Sequence, residues 1–218
     1  MQIVIGNVLS ADDLATVTAA LTRARFVDGR ATAGFAARVV KKNQQADGRT
    51  LDTVRKLVAE RIISHEVFRL AVRPKALTPL MFSRYEEGMH YGSHVDDALM
   101  DGLRTDVSFT LFLSAPDSYD GGELVIESAS GEDAVKLGAG NLVAYPSTAL
   151  HRVAPVTRGT RLAAVGWARS FIRDGTRREL LFDLDTARRN MFARDGKSAE
   201  FDLVSKSLAN LTRMWAED

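Results

Sequence analysis

One histidine of this chain stands two residues from an acid, in the segment YGSHVDD at positions 91–97. In a β-strand, residues i and i+2 point to the same face. His94 and Asp96 would therefore present an imidazole nitrogen and a carboxylate side by side, with Val95 turned away. Two such ligands hold a metal ion only weakly, and an isolated His–X–Asp segment is also typical of an ordinary surface pair. A third ligand has to come from elsewhere in the chain.

The natural third ligand is His151, which we expect on an adjacent strand. It lies in the segment LHRVAPV, which directly follows the turn PSTA, 55 residues beyond Asp96. Two histidines and one carboxylate form the facial triad of non-haem Fe(II) oxygenases, which leaves coordination positions open for a co-substrate and dioxygen. The chain has no cysteine, which excludes Cys-ligated zinc, iron–sulfur clusters and a thiol nucleophile. We predict that His94, Asp96 and His151 are the metal ligands and the catalytic centre.

An arginine ten residues after His151 indicates which co-substrate such a centre would use. If TRGTRLAAVGWARS is a strand, Arg161, Val165 and Trp167 share one face. An arginine inside a barrel is costly unless a carboxylate meets it. The distal carboxylate of 2-oxoglutarate would meet it, while the other end of that molecule chelates iron. Without the triad, a solvated Arg161 on the outward face would be the simpler interpretation.

Tyr85, near the end of LTPLMFSRY, is a second candidate for binding the co-substrate. Its phenol could reach the same distal carboxylate from a neighbouring strand, although an amphipathic core tyrosine would explain it equally well. We expect Tyr91 in the wall of the site and His90 in a loop. His65, in a helical region, has no expected role.

Composition places the chain among ordinary globular proteins. It has 218 residues, of which 45% are hydrophobic and 26% charged, enough to bury a core. A net charge of +1 gives no reason to expect capture of nucleic acid or a membrane surface. The start MQIVIGNVLS lacks the features of a signal peptide, and no apolar run is long enough for a transmembrane helix. We expect a soluble, cytoplasmic protein.

The predicted elements divide the chain into three parts. Residues 1–76 contain a short strand, a helix capped by Ser10 that runs to about Arg25, and a second helix from about Thr50; we expect this part to pack on the core. Residues 77–173 alternate short strands with glycine turns, which is typical of a jelly roll.

Residues 174–218 return to a helical pattern. Thr176–Arg–Arg–Glu179 matches a capping box, and the last helix has an apolar stripe that indicates core or dimer contact, at Phe201, Val204, Leu208, Leu211 and Trp215. The predicted fold class is α+β, with a jelly-roll core flanked by N-terminal and C-terminal helices.

The segments YEEGMHYGSHVDD, YDGGELVIES and KLGAGNLVAYPSTALHRVAPVTRGTRLAAVGWARSFIRD resemble the bacterial PKHD-type hydroxylases. These are Fe(II)/2-oxoglutarate-dependent dioxygenases related to prolyl 4-hydroxylases, and the resemblance covers most of the chain. It implies a double-stranded β-helix (jelly-roll) core. It implies Fe(II) bound by His94, Asp96 and His151, and 2-oxoglutarate bound by Arg161 with Tyr85. It also makes L-ascorbate a candidate reductant or activator.

The expected reaction is hydroxylation of a C–H bond in a peptide, amino acid or small metabolite, with release of succinate and carbon dioxide. Two alternatives stay open. A cupin-like metalloenzyme would use the barrel without 2-oxoglutarate, although its usual ligand pair is HxH and not HxD. A non-catalytic sensor would bind iron and 2-oxoglutarate and signal through the C-terminal helices. The expected partner is a small molecule or peptide, with no nucleic acid and no membrane, and a homodimer is left open.

Overall fold

The chain combines helices with antiparallel strands, and the computed structural model describes residues 1–217. The α-helices are α1 Ala11–Thr22, α2 Ala37–Val40, α3 Asp52–Ser64, α4 Glu66–Val72, α5 Gly175–Asp195 and α6 Ala199–Trp215. The strands are β1 Ile3–Ile5, β2 Arg25–Asp28, β3 Lys41–Lys42, β4 Gln44–Asp47, β5 Pro74–Leu77, β6 Met81–Tyr85, β7 His90–His94, β8 Leu99–Met100, β9 Leu103–Arg104, β10 Val107–Phe112, β11 Tyr119–Gly121, β12 Leu124–Ser128, β13 Gly131–Val135, β14 Leu142–Pro146, β15 His151–Val153, β16 Val156–Gly159 and β17 Arg161–Ser170. Short 3₁₀ turns occupy Gly29–Thr32 and Arg49–Leu51.

Two antiparallel sheets form the centre of the molecule. The larger has the strand order β1-β14-β10-β17-β6-β4-β2, and β5 also pairs with β17. The smaller has the order β13-β12-β15-β7-β3. The pairs β8–β9 and β11–β16 form two further ribbons. Along the chain, β10, β14 and β17 belong to the larger sheet, and β12 and β15, which lie between them in sequence, belong to the smaller one.

Apolar side chains from the facing sides of the two sheets pack against each other. The larger sheet contributes Tyr85, Phe112, Val143 and Tyr145, and the smaller contributes Leu124, Ile126 and Val153. The opposite side of the larger sheet is covered by helices, because Val17 of α1, Val58 of α3 and Phe68 of α4 belong to one buried cluster with its strands. All six residues of β10 are therefore buried, as expected for a strand covered on both faces.

The N-terminal helices follow the sequence pattern closely. Ser10 caps α1 and forms a capping box with Asp13. The helix ends at Thr22, earlier than predicted, because the chain enters β2 at Arg25. The second helix, α3, begins at Asp52, close to the predicted start. Val54, Val58 and Ile62 are buried on one face of this helix.

The predicted capping box at Thr176–Glu179 is wrong. Asp174 caps α5 instead, since its carboxylate accepts a hydrogen bond of 2.8 Å from the backbone N–H of Arg177. Thr176 lies inside the first turn, and the Glu179 carboxylate is 3.3 Å from the terminal amine of Met1. Asp is at least as good a cap as Thr, and it begins the helix two residues earlier than the motif suggested.

The apolar stripe of α6 is a packing surface. Leu208 is buried against Ile172 and Leu181, and Leu211 and Trp215 pack on the same cluster. None of the helices among residues 1–217 has the length and apolar character needed to cross a membrane. The division into parts at residues 76 and 173 stays a prediction.

Candidate active site

The three predicted metal ligands lie together at one end of the smaller sheet. His94 is the last residue of β7 and His151 the first of β15, and the two are direct partners in the antiparallel register. Their ring centroids are 4.3 Å apart. Potential ligand atoms of His94, Asp96 and His151 all lie within 4.8 Å of one another. His151 Nε2 is 3.8 Å from Asp96 Oδ1.

Asp96 reaches this cluster by a different route from the predicted one. Strand β7 ends at His94, so Asp96 lies in the following loop and the argument from strand alternation does not apply to it. Its position is fixed by the larger sheet instead, because Ser108 Oγ of β10 donates a hydrogen bond of 2.5 Å to Asp96 Oδ2. The Ser147 hydroxyl lies 2.8 Å from that of Ser108. Oδ1 is therefore the carboxylate oxygen that faces the histidines.

Both histidine rings are oriented with Nε2 toward the cluster. His94 Nδ1 is 2.8 Å from the carbonyl oxygen of Gly92, and His151 Nδ1 is 3.0 Å from that of Ala149. A carbonyl oxygen only accepts, so each Nδ1 carries a proton, and in a neutral ring this leaves the lone pair on Nε2. Burial, reinforced by the neighbouring His151, lowers the pKa of His94 to about 4. The His94 imidazole is therefore neutral at neutral pH, the form that binds metals.

Tyr91 holds the His94 ring from one side. The two rings are stacked with their centroids 3.6 Å apart, which confirms Tyr91 as part of the wall. His90 is the first residue of β7 and pairs with Lys42, so its predicted place in a loop is wrong. His65 lies between α3 and α4, outside the cavity described below.

Arg161, the first residue of β17, is an unusually buried cation. Only 1% of it is exposed, and its Nε has no hydrogen-bond partner among residues 1–217. The guanidinium carbon is 5.2 Å from the centroid of the Tyr85 ring and 5.3 Å from that of Phe112. Tyr85 is the direct partner of Arg161 in the β6–β17 register. An unsatisfied buried guanidinium has a strong tendency to bind a carboxylate.

A glycine makes room for this arginine. Gly122 has φ of +68°, a conformation that side chains rarely adopt. A Cβ there would lie 3.0 Å from Arg161 Cδ and 2.9 Å from Val156 Cγ2. The second glycine of the YDGGEL segment is therefore required for Arg161 to reach the interior.

The phenols around Arg161 stay protonated. Burial raises the pKa of Tyr85, although the positive charge of Arg161 opposes this. Burial likewise raises the pKa of Tyr119, and the nearby Arg161 opposes this. A protonated phenol can donate a hydrogen bond to an anion. The surroundings of Arg161 thus offer several donors for one negatively charged group.

A cavity of about 610 Å³ connects the triad with Arg161. The residues of the larger sheet that line it include Thr110, Tyr145 and Trp167, and Leu124 and Val153 belong to the smaller sheet. This volume is typical of a site for small molecules. Two imidazole nitrogens and one carboxylate oxygen on one side of such a cavity, without sulfur, fit a six-coordinate ion such as Fe(II) with open positions.

Sequence reasoning missed a polar wall formed by the segment 29–48. Lys41, Asn43 and Gln45 are buried and line the cavity. Lys41 Nζ is 3.0 Å from Thr32 Oγ1. Burial lowers the pKa of the Lys41 ammonium to about 8, while Asp96 and Asp28 oppose this. The only signal in the sequence was the alternation of Lys, Asn and Gln in KKNQQ, which is too common to indicate a site.

Comparisons with known proteins agree with this geometry. The family model of the 2OG-Fe(II) oxygenase superfamily matches residues 80–169. A PKHD-type hydroxylase of Acaryochloris marina is 53% identical over 100% of both chains. Another, of Maricaulis maris, is 56% identical over 88% of this chain and 89% of its own.

Solved structures show the same fold at lower identity. A prolyl-4-hydroxylase of Pseudomonas putida is 24% identical, with a TM-score of 0.53 over 78% of this chain and 92% of that chain. HygX of Streptomyces hygroscopicus, solved with nickel and 2-oxoglutarate bound, is 16% identical, with a TM-score of 0.55 over 78% of this chain and 84% of that chain.

Proposed function

Because the chain belongs to the PKHD-type hydroxylases, which are 2OG-Fe(II) oxygenases, we propose that it hydroxylates a C–H bond of a peptide, amino acid or small metabolite. The co-product would be succinate, formed with carbon dioxide from 2-oxoglutarate. One observation carries this proposal: His94, Asp96 and His151 share a single cavity with the unsatisfied, buried Arg161.

The two sheets support a double-stranded β-helix as the core. Successive strands from β10 to β17 alternate largely between the larger and the smaller sheet, and all pairs are antiparallel. The structural neighbours include a prolyl-4-hydroxylase. The metal would lie on the inner side of the smaller sheet, beside the register pair His94 and His151.

Fe(II) would be held by Nε2 of His94, Nε2 of His151 and Oδ1 of Asp96. When bound, the iron supplies the redox chemistry of dioxygen activation. The chain's own contribution is to fix these ligands. The carbonyls of Gly92 and Ala149 set the tautomers of the two rings. Ser108 holds the second carboxylate oxygen, so that one oxygen remains for the metal.

2-Oxoglutarate would be bound at its distal carboxylate by Arg161, with Tyr85 donating a hydrogen bond from its protonated phenol. A planar guanidinium matches a carboxylate in two parallel bonds. The rings of Phe112 and Tyr145, both buried, exclude water from this pair and so strengthen it. Ascorbate as an activator and a homodimer stay predictions.

The alternatives have less support. A cupin-like enzyme without 2-oxoglutarate leaves the buried charge of Arg161 unexplained. A sensor that signals through α5 and α6 has no support in the packing, because the apolar stripe of α6 is already covered by α5 and Ile172. The oxygenase therefore explains more of the site than either alternative.

The test is succinate formation by the full chain supplied with Fe(II), 2-oxoglutarate and dioxygen, with and without candidate substrates. We expect the wild type to form succinate above the rate of free iron, and Asp96→Ala to fall to that background. Asp133→Ala, which removes an exposed carboxylate on β13, is the matched control and should behave as the wild type. Equal succinate formation by Asp96→Ala and the wild type would contradict the proposal.

A further inference from the structure

A second buried cation lines the cavity on a wall that the co-substrate does not require. Lys41 is only 5% exposed. It is the register partner of Tyr91 in the β3–β7 pair, and its Nζ lies 4.9 Å from the centroid of the Tyr91 ring. Since Tyr91 in turn stacks on His94, the ammonium group is held close to the triad.

Lys41 lacks a carboxylate partner. Its Nζ donates a hydrogen bond to the Thr32 hydroxyl, and no carboxylate among residues 1–217 forms an ion pair with it. The two acids whose charges act on Lys41 are engaged elsewhere: Asp28 pairs with Arg30, and Asp96 is bonded to Ser108 and faces the histidines. An ammonium has three donors, so most of the hydrogen-bonding capacity of Lys41 is unused. Burying a cation in this way is costly without a counter-charge.

The wall around Lys41 bridges the two sheets. Strand β3 pairs with β7 of the smaller sheet, and β4 pairs with β6 of the larger sheet. Between them, Asn43 is buried, and its Oδ1 has no hydrogen-bond partner among the described residues. The Thr32 hydroxyl is 2.8 Å from Gln45 Oε1. Asn43 Oδ1 packs against Gly29, so the charged group that this wall presents to the cavity is Lys41.

The charges of the loaded site indicate what this wall binds. The two positive charges of Fe(II) and that of Arg161 would be balanced by Asp96 and by the two carboxylates of 2-oxoglutarate. Among the buried groups that line the cavity, Lys41 then remains as one uncompensated positive charge. Asp97 and Asp101 also line the cavity, but both are exposed, so solvent screens their charges. Arg161, which lies beside Tyr85 and Phe112, is not available to the substrate, because it is already assigned to the distal carboxylate of 2-oxoglutarate.

We propose that Lys41 binds a single carboxylate of the substrate and so selects substrates with one negative charge near the hydroxylated carbon. The inference rests on the proposed function, since the charge balance assumes iron and 2-oxoglutarate. Thr32 orients the ammonium group, and an acylated nitrogen next to the carboxylate would bring no second positive charge beside it. An amino acid or peptide acylated at nitrogen and free at its carboxyl end has this chemistry.

The test measures binding and requires no turnover. Wild-type protein is loaded with Zn(II), which has no redox chemistry, and with saturating 2-oxoglutarate, so that Arg161 is occupied. N-acetylglycine is then titrated and followed by amide-proton NMR. We expect saturable shifts at residues 41–45, and no saturation with the neutral N-acetylglycinamide. Lys41→Met, which keeps an unbranched side chain but removes the ammonium group, should weaken N-acetylglycine binding at least about tenfold, or about 1.4 kcal/mol.

Lys42→Met is the matched control, because Lys42 is the next residue, is exposed and does not line the cavity; it should bind as the wild type does. Absence of saturable binding by the wild type, equal binding of the acid and the amide, or unchanged binding by Lys41→Met would each overturn the inference.

Titration of 2-oxoglutarate into the same Zn(II)-loaded proteins separates the two proposals. If the wild type does not bind 2-oxoglutarate, the proposed function fails. If Lys41→Met loses 2-oxoglutarate binding, Lys41 belongs to the co-substrate site, and only the inference about the substrate is overturned. We expect equal 2-oxoglutarate affinity in the wild type, Lys41→Met and Lys42→Met.

Discussion

The hydroxyl of Ser108 donates a hydrogen bond of 2.5 Å to Asp96 Oδ2. The serine belongs to β10 in the middle of the larger sheet, and the aspartate follows β7 of the smaller sheet. One hydrogen bond therefore connects the two sheets at the metal site. Partners of this kind orient the ligands of metal sites and tune their affinity.

Removing this hydroxyl should weaken metal binding while leaving the fold intact. We expect Ser108→Ala to lower the affinity for Mn(II), a redox-stable substitute for Fe(II), by about 10- to 100-fold, because Asp96 would lose the bond that fixes its carboxylate. Competition with a fluorescent chelator measures the affinity. Ser118→Ala, at an exposed serine, is the control, and equal affinities in the two variants would show that Ser108 does not position the ligand.

Metal binding should stabilise the folded protein, and this stabilisation should depend on Asp96. A ligand at 100 times its Kd adds about 2.7 kcal/mol to the free energy of unfolding. We expect Mn(II) to raise the Tm of the wild type and of the control His90→Ala, which replaces a histidine of β7, the strand that also contains His94. Asp96→Asn keeps the shape of the side chain but removes its charge, so its Tm should not respond. A full response of Asp96→Asn in thermal melts would exclude Asp96 as a ligand.

Arg161→Lys tests whether the positive charge at this position is enough to bind 2-oxoglutarate, or whether the planar guanidinium is also needed. The substitution keeps a cation but loses the planar fork that binds a carboxylate with two bonds. We expect the Kd for 2-oxoglutarate to rise at least about tenfold in calorimetric titrations of Mn(II)-loaded protein, with unchanged metal affinity. Arg158→Lys alters an exposed arginine paired with Asp120 and should match the wild type. An unaltered Kd in Arg161→Lys would remove Arg161 from the co-substrate site.

The C-terminal helices should contribute to stability and not to the chemistry. Leu208 is 7% exposed and packs on Leu181, whereas Leu203 on the same helix is 57% exposed. We expect Leu208→Ala to lower the free energy of unfolding by about 2–5 kcal/mol, and Leu203→Ala to change it by less than about 0.5 kcal/mol. Urea denaturation measures both. If Leu208→Ala changed the affinity for 2-oxoglutarate without changing the free energy of unfolding, the result would support a signalling role for these helices.

The sequence predicted the parts of the site whose residue types are rare and chemically distinctive. Four histidines and no cysteine leave few possible metal sites, and the buried Arg161 stood out because a cation on an apolar strand face needs a partner. The structure brings His94, Asp96, His151, Arg161 and Tyr85 to one cavity. Their binding roles stay predictions until the variants are measured.

Sequence reasoning did not find Ser108 or Lys41, because their roles arise from pairing between distant segments. Ser108 is one of many serines, and it donates a hydrogen bond to Asp96 only because β10 lies next to the loop after β7. Lys41 is buried while its neighbour Lys42 is exposed, a difference set by the pairing of β3 with β7. Such long-range pairing has no local signature in the sequence. The prediction of a capping box at Thr176 was wrong for a local reason, because Asp174 competes for the same helix end.

The most direct test of the central claim is anaerobic titration of the metal-free protein with Fe(II) and then 2-oxoglutarate, followed by visible absorption. Chelation of iron by the 1-carboxylate and 2-keto oxygens of 2-oxoglutarate produces a metal-to-ligand charge-transfer band. We predict that the band appears in the wild type, is absent in Asp96→Ala and requires more 2-oxoglutarate in Arg161→Lys. Iron binding without any such band in the wild type would contradict the assignment of this cavity to 2-oxoglutarate.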